Sequence, residues 1–334
     1  MKSQILINNG YFQGLVNLKK TKITSGPYKG RISESSLSIP SGNDIALSLF
    51  NTFELGNGSD LEAFRRAYNM AVAGDGDEES KILTIHSSSL LALLCFFSVS
   101  PTHPLTIGKD IYNEVMFEVK NVVIKADRRK PSNVDVVLVS KTDDGRARKL
   151  LFLESKFTEY ITHGHTKLAS KYHEYYNILK DSLSDLKFRI GNYDELHKNG
   201  SVTTVFGLSS DNGQYLGGIK QVFSHLLGIA TKPDKDENIH RQAYSEYYKQ
   251  AEEVEFATIA HDWNLIEFLR YRDLYSNTFR SENLDKIKDA LKAIAPNHDI
   301  VDRLKIHPDV LTYKNVFKEF NLPGIIRQAY KLFS

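Results

Sequence analysis

Three residues near the middle of the chain have the types and spacing to handle a hard divalent cation. They are Asp135, Glu154 and Lys156, in the segment NVDVVLVSKTDDGRARKLLFLESKF that runs from 133 to 157. Two apolar runs flank Asp144-Gly145, a pair favoured in tight hairpin turns because both residues tolerate positive φ. Counting outward from that turn sets Asp135 directly opposite Glu154 and Asn133 opposite Lys156. Glu154 and Lys156 are two positions apart on one strand, so all three charged side chains leave the same face. Directly opposed carboxylates, with Cβ atoms roughly 5 Å apart, weaken a sheet. A bound cation would resolve the repulsion. Mg²⁺, with Mn²⁺ as its substitute, takes one or two carboxylates and fills its shell with waters and phosphate oxygens. Lys156 would then orient an attacking water or offset transition-state charge. The competing explanation is a surface salt bridge of Lys156 with both acids.

The elements that would position these residues can be read from periodicity. Val115 to Ile124, Val134 to Val139 and Leu150 to Phe157 are β-branched or aromatic runs between polar turns, and are expected as consecutive strands. Before them, the spacing of Ile45, Leu49 and Phe53, then of Leu61, Phe64, Tyr68 and Val72, predicts two helices broken at GNGSD (56–60). The Ser87 to Ser89 cluster is expected to cap a buried helix that runs to Phe97. The first forty residues read as short strands and loops. After the hairpin, helices are expected over Leu168 to Leu186 and Gly217 to Ile229, and strands over Val202 to Leu208 and Val254 to Ala260. From Trp263 to Phe333 the pattern is helical, broken at Pro296, Pro308 and Pro323. The expected fold class is α/β (α+β in arrangement), a mixed central sheet flanked by helices. The expected organisation is a mostly helical part at 1–100, a core at 101–262 and a helical extension at 263–334.

Composition narrows the class without naming a function. The chain has 334 residues, 41% hydrophobic and 25% charged, with a net charge of +2, which is a globular composition. Its one cysteine, Cys95, lies inside an apolar run, so intrachain disulfides and thiolate zinc sites are excluded and buried packing is expected. No apolar run has the length of a membrane span or a secretory signal, and the expectation is a cytoplasmic protein that makes no membrane contact. Residues 101–180 carry more Lys and Arg than Asp and Glu, a weak pointer to a polyanionic partner.

Asp135 followed by Glu154-Ser155-Lys156 in an apolar strand resembles the signature of the PD-(D/E)xK nuclease superfamily. With FEVK (117–120) and ESKFTEY (154–160), it looks like a bacterial restriction-endonuclease-like branch. The order of elements matches over about residues 40–260, and the specific part spans 115–160. The resemblance implies Mg²⁺-dependent phosphodiester hydrolysis in DNA, with restriction or phage defence as the setting, and leaves activity on RNA open. It makes Asp135 and Glu154 metal ligands, adds the backbone carbonyl of Ser155, and gives Lys156 the water. A homodimer would serve double-strand cleavage, since one site cuts one strand. The family's proline normally precedes the Asp, whereas Val134 stands there and Pro131 lies further upstream. Other readings remain open: a catalytically silent nuclease fold that binds nucleic acid or assembles with a defence complex, and an unrelated α/β interaction protein.

Further candidates surround this centre. Family members often add an acid, for which Glu118 is favoured over Glu54 and Glu62. Gln221 resembles a glutamine that some branches place near the site; with Ser224 and His225 it forms a polar stripe, which is more often solvated. Arg128, Arg129 and Lys130 are candidates for phosphate contact. Glu159 and Tyr160 are placed to line a cleft. His163-Gly164-His165 reads as surface, and Tyr172, Tyr175 and Tyr176 read as core before base-stacking.

Overall fold

A computed structural model of the chain describes residues 6–333 apart from 14, 23–31, 38–43, 57, 74–81, 124–131, 162–163, 184–185, 198, 211–214 and 234–238. In chain order the N-terminal part holds β1 (Val16–Lys22), β2 (Ile32–Leu37), α1 (Ile45–Thr52), α2 (Gly58–Val72) and α3 (Ser88–Phe96). The middle holds β3 (Leu105–Ile107), β4 (Asp110–Tyr112), β5 (Glu114–Val122), β6 (Ser132–Lys141), β7 (Ala147–Lys156) and β8 (Thr166–Lys167). Then come α4 (His173–Ser182), β9 (Arg189–Leu196), β10 (Val202–Ser209), α5 (Leu216–Thr231), β11 (Lys232–Pro233), α6 (Ile239–Gln250) and β12 (Glu253–Ala260). The chain ends with α7 (Leu265–Thr278), α8 (Ser281–Ile294), α9 (His298–Arg303), β13 (Leu304–Ile306), β14 (Leu311–Thr312), α10 (Tyr313–Val316) and α11 (Gly324–Ala329).

The fold is mixed α/β around a central sheet ordered β11-β5-β6-β7-β12-β13, with β14 also on β12. β5, β6 and β7 form an antiparallel meander, while β12 runs parallel to β7 and β13 runs parallel to β12. Alternation along β7 divides its side chains between two cores. Leu150 and Phe152 face a layer that includes residues of α4 to α9. Leu151 and Leu153 face one built from α1, α2, α3, α10 and α11. The strands are therefore covered on both faces, which is why they read as continuous apolar runs.

Local chemistry sets the ends of several elements. Ser87 Oγ accepts from Leu90 N at 3.1 Å to cap α3, whose residues from Leu90 to Phe96 are all buried. Asp44 caps α1 through Leu47 N at 2.9 Å, and Arg65 of α2 donates to its other oxygen. Cys95 is buried in apolar surroundings that raise its thiol well above the ordinary value.

Two expectations change. β9 pairs along its whole length with β10, but only Ile190 among its residues is buried, so burial left little periodic trace of it. The segment after Trp263 is not purely helical: β13 and β14 add to the central sheet through β12. Its later residues Tyr313, Phe317, Ile326 and Tyr330 pack into the same core as α1, α2 and α3.

Candidate functional site

The hairpin that carries the three charged residues forms in the expected register by an unexpected turn. β6 and β7 pair from Val136–Leu153 to Ser140–Lys149 with the offset that sets Asp135 against Glu154. The turn is wider than two residues. Thr142 N donates to Arg146 O and Gly145 N donates to Thr142 O, each at 2.9 Å, with Gly145 at φ +84°. A bulge between Ser140 and Lys141 absorbs the extra residue. At the open end the ladder stops at Val136. Asp135 there accepts from Ser155 N through Oδ2 at 2.6 Å, which joins the two strands through a side chain.

The charged side chains converge on the face covered by α5. Lys156 Nζ donates to Glu154 Oε1 at 2.5 Å and to Gln221 Oε1 of α5 at 2.8 Å. Glu154 and Lys156 are nearly fully buried, which excludes the surface salt bridge as their description. On the other side of Glu154, Oε2 lies 2.7 Å from His225 Nε2. The contact is electrostatic, and neither atom has a directed hydrogen bond. Ser132 Oγ, at the start of β6, meets the other imidazole nitrogen, Nδ1, at 2.6 Å. Gly228, three residues beyond His225, allows this approach: a Cβ there would stand 3.0 Å from the Cβ atoms of both Asn121 and Ser132.

Glu118 belongs to the same cluster. The β5–β6 ladder skips the step at which Glu118 would face Asp135, and Glu118 has φ +48°, a left-handed backbone inside a strand. A non-glycine residue held this way costs of order 1–3 kcal/mol and is concentrated at functional sites. Its charge acts on Asp135. Glu54 is exposed and lines a cavity of about 920 Å³ between α2 and the start of β5, while Glu62 is exposed and pairs with Arg65. Neither takes the place of Glu118 beside Asp135.

Electrostatics separates the two central carboxylates. Burial, then the charges of Glu154 and Glu118, raise Asp135 well above the usual carboxylate range. Burial also pushes Glu154 upward, but Lys156 and His225 outweigh it and hold the group near about 2. Burial works against the Lys156 cation, and Glu154, Glu159 and Asp135 together override it, so Lys156 is held above its ordinary value. Glu159 is half-buried and accepts from Phe157 N at 2.8 Å and Thr158 N at 3.0 Å. One buried lysine thus stands among three carboxylates.

The remaining candidates divide. Ser155 directs its N–H to Asp135, and its hydroxyl lies 2.7 Å from Tyr313 Oη on the opposite face. Tyr160 is buried and donates to His261 O at 2.6 Å. Tyr172, Tyr175 and Tyr176 are core, which removes base-stacking. His165 is exposed against the Tyr193 ring, and His163 lies outside the described residues, as do Arg128, Arg129 and Lys130. Ser224 and His225 are buried, which corrects the solvated reading of that stripe; Gln221 is exposed as a residue yet reaches Lys156. The signal that could have found His225 is its place in VFSHLLGIA, a helix apolar all round, where a polar side chain must find a buried partner.

Among the described residues no three His, Cys, Asp or Glu are drawn together tightly enough to hold a metal ion. The donor set still suits Mg²⁺, which is usually held by one or two carboxylates plus waters. Asp135 with its raised carboxyl and Glu154 Oε2 without a directed partner are the atoms a cation would satisfy. Ser132, His225 and Glu154 have the order of a nucleophile, base and orienting acid, but Ser132 is buried beneath Gly228, which closes it to an acyl substrate. No described helix is long and apolar enough to cross a membrane. Three comparisons return no match: no family model, no curated protein and no solved structure is similar to the chain.

Proposed function

We propose that the chain is a Mg²⁺-dependent DNA nuclease of the PD-(D/E)xK type, with a restriction-endonuclease-like core. The observation that carries this reading is the cluster of acids at the open end of the β6–β7 hairpin, where Glu154, Glu159 and Asp135 act on the buried Lys156 and Asp135 is raised by burial and by Glu154. Asp135 and Glu154 would hold the ion. When bound, the ion would supply Lewis-acid activation of the phosphodiester and of a water. Lys156 stays protonated, so it acts as a hydrogen-bond donor and fixed charge, not as a base. Two of its three N–H groups go to Glu154 and Gln221, leaving one for the attacking water or a phosphate oxygen. Gln221 fixes the ammonium from the opposite side and belongs to the machinery as a positioning residue.

Supercoiled plasmid treated with Mg²⁺ tests the reading: nicking by the wild type, lost in Asp135→Ala, Glu154→Ala and Lys156→Ala with the fold intact, is the expected result. Full activity in all three variants would overturn it. The engagement of Glu154 by Lys156 and His225 favours a second reading, a catalytically silent nuclease fold that binds nucleic acid. That reading predicts salt-sensitive DNA binding with no cleavage in any divalent metal.

A further inference from the structure

The geometry points to His225, held by Ser132, as a positioning residue that fixes the Glu154 carboxylate for the cation. This rests on the nuclease reading and assigns a role to two residues outside its signature. Glu154 has two oxygens, one hydrogen-bonded to Lys156 and one in contact with His225. Lys156 takes Oε1, so the remaining torsional freedom of the carboxylate is limited by what stands at Oε2, and that is His225 Nε2 at 2.7 Å. The imidazole is itself limited at its other end by Ser132 Oγ at 2.6 Å. Ser132 Oγ meets Nδ1 and so leaves Nε2 as the nitrogen turned to Glu154.

The chain of contacts ties three elements to one oxygen. Ser132 lies on β6, three residues before Asp135, and Glu154 lies on β7. His225 comes from α5, one turn after Gln221, which holds Lys156. Both neighbours of the Glu154–Lys156 pair are therefore set by the same face of one helix. Its distance from the sheet is fixed by Gly228, where any larger residue would press on Ser132. Partners of this kind, which orient ligands without binding metal, typically matter by about 10- to 100-fold in metal affinity or activity.

Calorimetric titration of the full chain with Mn²⁺ alone, without DNA, tests the inference through four variants. His225→Gln places an amide N–H near the position of Nε2 and should stay within about threefold of wild type. His225→Asn places it near Nδ1, keeps the Ser132 side and loses Glu154, so it should weaken Mn²⁺ about 10- to 100-fold, as should His225→Ala. Ser132→Ala, which removes one hydroxyl and leaves the fold, should weaken binding by a few fold, about 3 to 10. Circular dichroism and melting confirm folding, and Ser132→Ala decides the matter if the His225 variants do not fold. Wild-type affinity in His225→Asn, equal losses in His225→Asn and His225→Gln, or an unchanged Ser132→Ala each overturn the inference while leaving the nuclease reading standing. A wild type that binds no Mn²⁺ overturns the nuclease reading and the inference with it.

Discussion

Two buried lysines stand at opposite ends of β7, and the contrast between them separates support of the fold from a site. Lys149 Nζ lies 2.7 Å from Asp110 and also pairs with Glu255, while Arg148 adds to Asp110 and His307 adds to Glu255 at 3.0 Å. Every charge there meets its opposite. Burial raises Glu255, yet His307 and Lys149 bring it to about 2. At the other end Asp135 is forced upward by burial and by Glu154 and Glu118, and Glu154 Oε2 and His225 Nε2 lack directed partners. A closed network is an ordinary way to bury charge, whereas an open one asks for a further cation.

The largest effect that could break this contrast is removal of each lysine. Lys149→Ala leaves two partly buried acids facing each other and should destabilise the fold by about 3–5 kcal/mol, with a Mg²⁺ gain no larger than that of the wild type. At a temperature where it is folded, its DNA cleavage should stay close to wild type. Lys156→Ala should lose about 10²- to 10³-fold in cleavage, and its melting temperature should recover in part with Mg²⁺, because the ion replaces the missing positive charge. Identical responses to Mg²⁺ in the two variants would erase the distinction.

Acid titration gives the next effect. Glu154 and Glu255 are both held near about 2, below their unfolded value, so each contributes stability that is complete above about pH 4.5 and lost as pH falls toward about 2. Melting in EDTA should decline across that window, and Glu255→Gln should melt lower at neutral pH but decline less steeply. A parallel decline in both proteins would show that Glu255 is not held down by its partners.

Glu118 supplies a smaller effect that needs no DNA. Glu118→Ala and Glu118→Gly both remove the carboxylate, but only glycine is at ease at φ +48°. The glycine variant should be more stable than the alanine variant by about 1–2 kcal/mol. Equal stability in chemical denaturation would remove backbone strain from the description of the site.

The hairpin and its flanking strands were legible because a period of two, a turn pair and a run of apolar residues all agree over Val134 to Phe157. The register held even though the turn did not, since the bulge at Ser140 and Lys141 restores the offset before the buried pairs begin. Burial of the paired acids was not legible, because it depends on α5 lying across the face from far along the chain. His225 was hidden for the same reason. β9 left little trace because its side chains are mostly exposed, and β13 and β14 were lost in a helical pattern because strands of two or three residues are shorter than any period.

The smallest effect tests the contrast most directly, since it predicts opposite signs for similar substitutions at the two ends. Asp135 is raised by burial and by Glu154 and Glu118, so its ionised form is less stable in the folded protein than in the unfolded chain. A carboxyl held above its unfolded value contributes stability at low pH that is lost as pH rises past about 4, the unfolded value. Asp135→Asn removes that loss and relieves a cross-strand like charge, so in EDTA at neutral pH it should be more stable than wild type by about 0.2–1 kcal/mol. It also surrenders the acceptor that binds Ser155 N only in part, because the amide oxygen can still accept that bond. Glu255→Gln, in the closed network, should be destabilising under the same conditions. Mg²⁺ separates them further. The wild type and Glu255→Gln should both gain melting temperature with Mg²⁺, because the ion binds the folded acids and not the unfolded chain, while Asp135→Asn should gain little. If Asp135→Asn is less stable than wild type in EDTA and keeps the full Mg²⁺ gain, the open end of β7 is a second closed network, and Asp135 and Glu154 do not share a cation.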